Sequence, residues 1–353
     1  MSEWLTARVD PRALGLARII VGSAAVIRAF VAWRILTKLV DETTLRVPYA
    51  EWIPQPTAGL VFVIIALWIA SAIAFTVGWR VRITGPLLLA SVVSTLALDQ
   101  QTYSNHLYLM AWLVLLLTVA DAGAGMDIER VDRPVVRWPI LLILMQLSIV
   151  YGYSALTKIN EGFVSGAVLA STLRGGIVPF PDSLRTQGLL TVLALIVIAV
   201  ELFVAVFLWR TRFRPVAFIL GLGLHISIVL FMSNTAQLLV FSLEMMSIYP
   251  LFLSAEPLVV TAPPGSRSSA SIRRFDLLRQ VRVIEREDVE TIALQHHGIE
   301  TIDAAAHTRI LEHLVPWLWA APLLRLPVVS QMHRRFCRAT PRDRNSPVAG
   351  SRG

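Results

Sequence analysis

Long apolar runs, broken by short polar turns, fill the first 255 residues of the chain. A helix needs about 20 mostly apolar residues to cross a bilayer. Eight segments fit that pattern: 13–35, 58–79, 84–100, 107–123, 138–157, 187–209, 215–232 and 236–254. The third and fourth are the shortest. The predicted fold class is therefore an all-α polytopic membrane protein with about eight transmembrane helices. Past residue 256 the pattern changes. The stretch Thr261 to Ser269, rich in Pro, Gly and Ser, reads as a polar linker, assigned to 257–272. Residues 273–353 then read as a small mixed α/β module with a disordered end. It holds a strand-like Val281–Ile284 and a helix-like Ala304–Leu314. The apolar Trp317–Val329 is broken by Pro322 and Pro327 and reads as a buried or interfacial element.

Composition agrees with this partition. The chain has 353 residues, of which 55% are hydrophobic and only 16% charged; a soluble domain carries roughly a quarter charged residues. Its net charge is +8. The basic residues lie beside the apolar spans and in the tail, which points to membrane orientation rather than a nucleic-acid partner. On the N-terminal side lie Arg8, Arg12, Arg80, Arg82, Arg130, Arg133, Arg137, Arg210, Arg212 and Arg214. The opposite loops hold only Lys38, Arg46, Lys158, Arg174 and Arg185. The richer side is expected to be cytoplasmic, with both termini inside and loops 36–57, 101–106, 158–186 and 233–235 outside. The lone Cys337 excludes an intramolecular disulfide and a CxxC pair, and the histidines lack ligand spacing, so no metal is expected.

Polar residues inside apolar runs are the candidates for chemistry, because lipid satisfies neither charge nor hydrogen bonds. Lys158 is one of only two lysines and closes the fifth span. Gln146, Ser154 and Lys158 recur at multiples of four, with Tyr151 three before Ser154, so these groups form a stripe roughly 18 Å long. Two readings of Lys158 stand open. Its amine snorkels to headgroups, or it lines a protein-walled site and acts as a base, since a desolvated lysine gives up its proton and an arginine does not. His106 follows a polar outer turn and starts the fourth span on the same side. Asn105 before it reads as a cap or a site residue. His225 and Glu244 lie mid-span and Glu201 nearer the cytoplasmic side. Arg18 and Arg28 in the first span each need a carboxylate, a carbonyl or water, and for Arg28 a structural pairing is expected.

Taken in order, several pieces resemble the vitamin K-dependent gamma-carboxylase family and its bacterial relatives with a horizontally transferred transmembrane (HTTM) domain. They are Asp10-Pro11-Arg12 with Arg18 to Gly22, Gly78 to Ile83, Asn105-His106-Leu107-Tyr108 with Asp121, and Gln146 followed by Tyr151 and Lys158. Leu224-His225, Phe231 to Ser233 and Tyr249 to Phe252 follow, so the likeness covers roughly residues 10–255. The resemblance implies that Lys158 is the base that deprotonates reduced vitamin K or another quinol, with His106 in the same site. It implies Asn105, Tyr108, Gln146, Tyr151 and His225 around the substrate. It further implies a carboxylase or quinol epoxidase activity in a bacterial plasma membrane. Membrane lipid or a quinol is the expected partner, with room for a membrane-protein partner.

Two features depart from the family. Phe163 stands where its motif has tryptophan, although Gly166 is kept. About 100 residues follow the last span, too few for the animal enzyme's large substrate-holding domain. A quinol-like lipid-soluble molecule is thus the expected substrate. The stretch from Val281 to Arg338 resembles the distal half of a thiol-disulfide oxidoreductase-like domain without its CxxC, so a redox-inert docking or stabilising module is expected. A non-enzymatic membrane scaffold and a proton-coupled transporter using Glu201, Glu244 and His225 are the competing expectations.

Overall fold

A computed structural model describes residues 2–128, 132–253, 258–289, 292–296, 299–301, 304–314, 317 and 320–339. The chain divides into two compact units, Met1–Phe252 and Leu253–Gly353.

The first unit is a helical bundle. A short helix α1 (Ser2–Thr6) and strand β1 (Arg8–Val9) lead into α2 (Arg12–Leu39), α3 (Ala58–Val77), α4 (Val81–Leu98) and α5 (Asn105–Val119). Strand β2 (Val135–Val136) pairs antiparallel with β1 and precedes α6 (Arg137–Thr157). Two small helices follow, α7 (Glu161–Val164) and α8 (Ala167–Thr172), then α9 (Gln187–Phe207), α10 (Arg214–Phe231) and α11 (Thr235–Ser247). Among the described residues, seven helical segments are long and apolar enough to cross a membrane, the last being Thr235–Phe252. The chain is a polytopic helical membrane protein.

The expected eighth span is the shorter α5, with 15 residues. At 1.5 Å per residue it covers only about 22 Å of a core about 30 Å thick. Its expected C-terminal end is lost because Asp121 takes a left-handed conformation (φ 56°) and residues 122–124 form a tight turn. The last span likewise changes at Pro250: α11 stops at Ser247 and Tyr249–Phe252 continues as a 3-10 turn.

Helix α2 organises the bundle by packing against α3, α5 and α11. Its buried face is built largely from alanine, including Ala17, Ala24, Ala25, Ala29 and Ala32. Small side chains let helix backbones approach closely where dispersion, not water exclusion, supplies the attraction. Arg18 lies in this interface without any exposure. Its Nη1 donates to the carbonyls of Ala122 (2.8 Å) and Gly125 (3.1 Å), and Nη2 donates to Met126 (2.7 Å). One guanidinium thereby satisfies the turn that ends α5 and ties it to α2.

The loop 158–186 is more ordered than its sequence suggests. Phe163, Leu169 and Leu173 bury against Leu190, Ala194 and Ile198 of α9. Gly166 makes the close approach possible. It sits at φ 82°, and a Cβ there would lie 2.6 Å from that of Leu190, so a side chain would be excluded both by conformation and by space.

The second unit carries a four-stranded sheet of order β4-β3-β5-β6, from β3 (Leu258–Ala262), β4 (Val281–Glu285), β5 (Ala293–His296) and β6 (Ile299–Thr301). β3 and β4 are parallel and joined through α12 (Arg267–Phe275); the other pairings are antiparallel. Helix α13 (Ala304–Leu311) contributes Ala306 and Ile310 to a core with Val260, Ile272 and Leu294. The expected linker at 257–272 is therefore occupied by β3 and most of α12. Its polar residues misled the sequence reading because several face inward and are satisfied locally. Thr261 is fully buried and its hydroxyl donates to the Ala293 carbonyl; Ser269 is buried and its hydroxyl donates to the Ser266 carbonyl. The strand expected at Val281 is present as β4. Trp317 is half exposed, and the broken apolar stretch around it ends in a 3-10 turn, Ala321–Arg325, before α14 (Pro327–Ala339). The expected disordered end beyond residue 339 lies outside the described residues.

Replacing Arg18 with methionine leaves three buried carbonyls without their charged donor. The expected cost is on the order of 3 kcal/mol, read as a lower melting midpoint of the purified protein in detergent. Arg82→Met removes only an exposed pair with Asp121 and is expected to shift the midpoint little. Equal midpoints for the two variants would contradict the anchoring role of Arg18.

Candidate functional site

Lys158 caps the C-terminal end of α6. A snorkelling lysine in this place would extend onward, away from the helix. Instead its side chain folds back one turn. Nζ donates to the Ser154 carbonyl (3.3 Å) and to the Ser154 hydroxyl, and reaches both carboxylate oxygens of Glu201 on α9 at 2.9 Å. The Ser154 hydroxyl also donates to Glu201 Oε1 (3.0 Å), closing a three-residue ring of hydrogen bonds. Side chains on a helix lean toward its N-terminus, so a partner on a neighbouring helix can capture the amine there. Glu201 is buried and Lys158 only a quarter exposed. The Phe163 ring lies 5.6 Å from Nζ and covers it from the α7 side. The expected tryptophan position is thus filled by a smaller aromatic in contact with the amine.

A second polar group lies one turn further into α6. Tyr151 is 2% exposed, and its hydroxyl is 2.8 Å from His225 Nε2 on α10 and 2.8 Å from the Tyr249 hydroxyl. The other ring nitrogen of His225 meets the Ser242 hydroxyl of α11 at 3.1 Å. Four residues from three helices and the turn after α11 are joined with both imidazole nitrogens satisfied. Tyr249 reaches this point because α10 carries Gly221 opposite its hydroxyl, where any Cβ would collide with it.

His106 belongs to a third group. Its ring packs on Phe241 at 4.6 Å between centroids, and Phe241 in turn lies 5.5 Å from the His225 ring. His106 on α5, Arg28 on α2 and Glu244 on α11 come from helices that pack against one another. Arg28 is 2% exposed and Glu244 not exposed at all. Among the described residues, His106 Nδ1, Arg28 Nε and Nη1, and both Glu244 carboxylate oxygens have no hydrogen-bond partner. The structural pairing expected for Arg28 is therefore not made by a direct contact; of the two arginines it is Arg18 that donates to backbone carbonyls.

The sequence-derived candidates do not all converge. Tyr151 and His225 touch, and His106 joins them through Phe241. Lys158 sits with Ser154 and Glu201 instead. Asn105 is exposed at the start of α5, where its Oδ1 accepts from Tyr103 (3.0 Å). Tyr108 is half exposed, near Tyr103 and Trp112. Residues 106 and 108 differ by about 200° around a helix, so the inward turn of His106 carries Tyr108 outward. Gln146 is half-buried on α6. Glu201 is a sequence candidate only for a proton relay, and Ser242, Phe241 and the Tyr249 hydroxyl carry no local signal that marks them as site residues. An apolar groove of about 760 Å³ between α2 and α3, walled by Trp33, Phe62 and Ile65 among others, includes neither Lys158 nor His106.

If Gly221 positions Tyr249, then Gly221→Ala should push that hydroxyl away from Tyr151. The expected readout is altered tyrosine hydrogen bonding in ultraviolet resonance Raman spectra, matched by Tyr249→Phe. Spectra identical to the wild type would show that the close approach is not required.

A model of the HTTM domain, the domain found in vitamin K-dependent gamma-carboxylase and related proteins, matches residues 7–256. No curated protein and no solved structure matches the chain. The matched region covers the whole helical bundle, including each of the polar groups described above, so the chain belongs to the HTTM-domain, carboxylase-like membrane family.

Proposed function

We propose that the chain is a membrane-embedded enzyme that deprotonates a quinol-like, lipid-soluble substrate, with Lys158 as the base and Glu201 as its proton acceptor. The observation that supports this most is the inward fold of Lys158. An amine that served only to meet headgroups would gain nothing from turning back into the bundle. A quinol fits this donor set, since it offers a hydroxyl proton and a flat ring suited to an aromatic wall such as Phe163. When bound, it supplies the redox-active ring; the chain's own residues supply the proton handling.

The three protons of a lysine ammonium already have acceptors in Ser154 and Glu201. For Nζ to accept a proton, one of its own first moves to Glu201 along the existing hydrogen bond. The freed lone pair then takes the substrate hydroxyl proton, and Ser154 holds both partners in register. General-base assistance of this kind contributes about 10²- to 10⁴-fold. The arginine distribution supports a cytoplasmic placement of both termini, and with it a site opening toward the outer leaflet. A bacterial plasma membrane is the proposed setting. Reduced vitamin K or a related quinol is the proposed co-substrate, and no metal or nucleic acid enters the scheme.

The same ion pair also suits a structural scaffold, because a buried pair can hold α6 to α9 without chemistry. Lys158→Arg separates the two. It keeps the charge and the pair but is never deprotonated. In membranes supplied with a reduced naphthoquinol, Lys158→Ala and Lys158→Arg are both expected to lose epoxide formation by roughly 100-fold or more. Full turnover in Lys158→Arg would leave the scaffold reading and remove the base.

A further inference from the structure

The cationic side chains of α2 divide by direction. Arg12 pairs with Asp132, Arg18 holds three carbonyls and Arg28 is buried. Arg34 and Lys38 instead are exposed, and among the described residues neither side chain makes a hydrogen bond or an ion pair. Arg34 lies about 7 Å short of the end of α2 at 1.5 Å per residue. An arginine facing outward at that depth, with no carboxylate from the protein, must take its counter-charge from the bilayer. Lys38 follows one turn later on the same side of the helix, where its amine reaches water. The acidic residues beyond do not neutralise them. The Asp41 carboxylate already accepts from the Thr43 backbone N–H and hydroxyl, and Glu42 is exposed past the end of α2.

Arg34 also stands at the rim of the apolar groove between α2 and α3. Trp33 and Thr37 line that groove, and Arg34 lies about 60° round the helix from Thr37. From Ala58 to Ile73 the groove runs about 22 Å along α3. Its 760 Å³ spread over that length gives a section of about 35 Å², room for a hydrocarbon chain but under half the section of a helix about 10 Å across. The Thr37 hydroxyl in its wall donates to the Trp33 and Arg34 carbonyls, so it asks nothing polar of an occupant. We propose that this groove binds one anionic glycerophospholipid, with an acyl chain lying along α3 and the phosphate against Arg34, while Lys38 adds positive charge from the water side. Two cations without a carboxylate partner favour a net negative headgroup and repel the ammonium of a zwitterionic one. The site stands apart from the proton handling at Lys158 and does not depend on it.

The test uses the full-length protein in detergent, titrated with phosphatidylglycerol or phosphatidylcholine of identical acyl chains and read by native mass spectrometry. The wild type is expected to bind phosphatidylglycerol about tenfold more tightly. Arg34→Gln is expected to weaken that binding about fivefold, and Arg34→Gln with Lys38→Gln to bring it to the phosphatidylcholine value. Arg174→Gln, at an exposed cation of the 158–186 loop, should leave it unchanged. Ala66→Trp fills the groove from α3 and is expected to weaken both lipids. Equal binding of the two lipids by the wild type, undiminished binding in Arg34→Gln, or unchanged binding of both lipids in Ala66→Trp would each overturn the site. Loss of a dimer mass in Ala66→Trp with lipid binding intact would put a second copy of the chain in the groove. A copurifying quinone lost in Ala66→Trp would put that molecule there, and either result would overturn the phospholipid.

Discussion

A charged group inside a helical bundle must find its partner within the protein, and that constraint shapes each polar feature of this chain. Lys158 shows it most directly. The amine closes an apolar helix at a place from which water is within reach, yet it turns back to Glu201 and Ser154. Two antiparallel helices are thereby joined by an ion pair with a hydroxyl shared between its members. Arg18 answers the same constraint with three carbonyls, and His225 answers it with a tyrosine and a serine. Arg28 and Glu244 do so only at long range. The first three arrangements offset a large desolvation cost and fix which helices are neighbours.

The polar groups also divide the interior by chemistry. Lys158, Ser154 and Glu201 form a charged cluster in which a proton has a short path between nitrogen and oxygen. Tyr151, His225, Tyr249 and Ser242 form an uncharged, fully satisfied chain across three helices. His106, Arg28 and Glu244 form the third group, whose buried hydrogen-bonding atoms find no partner among the described residues. Phe241 touches the imidazoles of both the second and third groups, so a change in one is felt sterically in the other.

Much of this was legible in the sequence one residue at a time. Apolar run lengths located the helices, and the polar residues within those runs, from Arg18 to Glu244, are the ones that form the interior contacts. What the sequence hid was pairing. Lys158 meets Glu201 across 43 positions, and Tyr151 meets His225 across 74; such contacts depend on helix packing, not on local spacing. Tyr249 is hidden as a partner because it lies in the 3-10 turn that follows the end of α11 at Ser247, where helical spacing no longer applies. The resemblance places Tyr108 with His106, whereas helical rotation separates their side chains. In the second unit, a short strand and helix were read as linker because Thr261 and Ser269 look solvated while being buried. The helices α7 and α8 read as loop in the sequence for a related reason: their few apolar residues find their partners only on α9.

The inward hold on Lys158 can be measured directly because the chain has only two lysines. Lys38 is exposed and serves as an internal reference. Treating the protein in intact membranes with an amine-reactive reagent, followed by peptide mass spectrometry, compares the two rates. The expected result is rapid labelling of Lys38 and slow labelling of Lys158, with Lys158 becoming reactive once Glu201 is replaced by alanine. Labelling of Lys158 at the rate of Lys38 in the unaltered protein would show that its amine points to water, and would contradict the account.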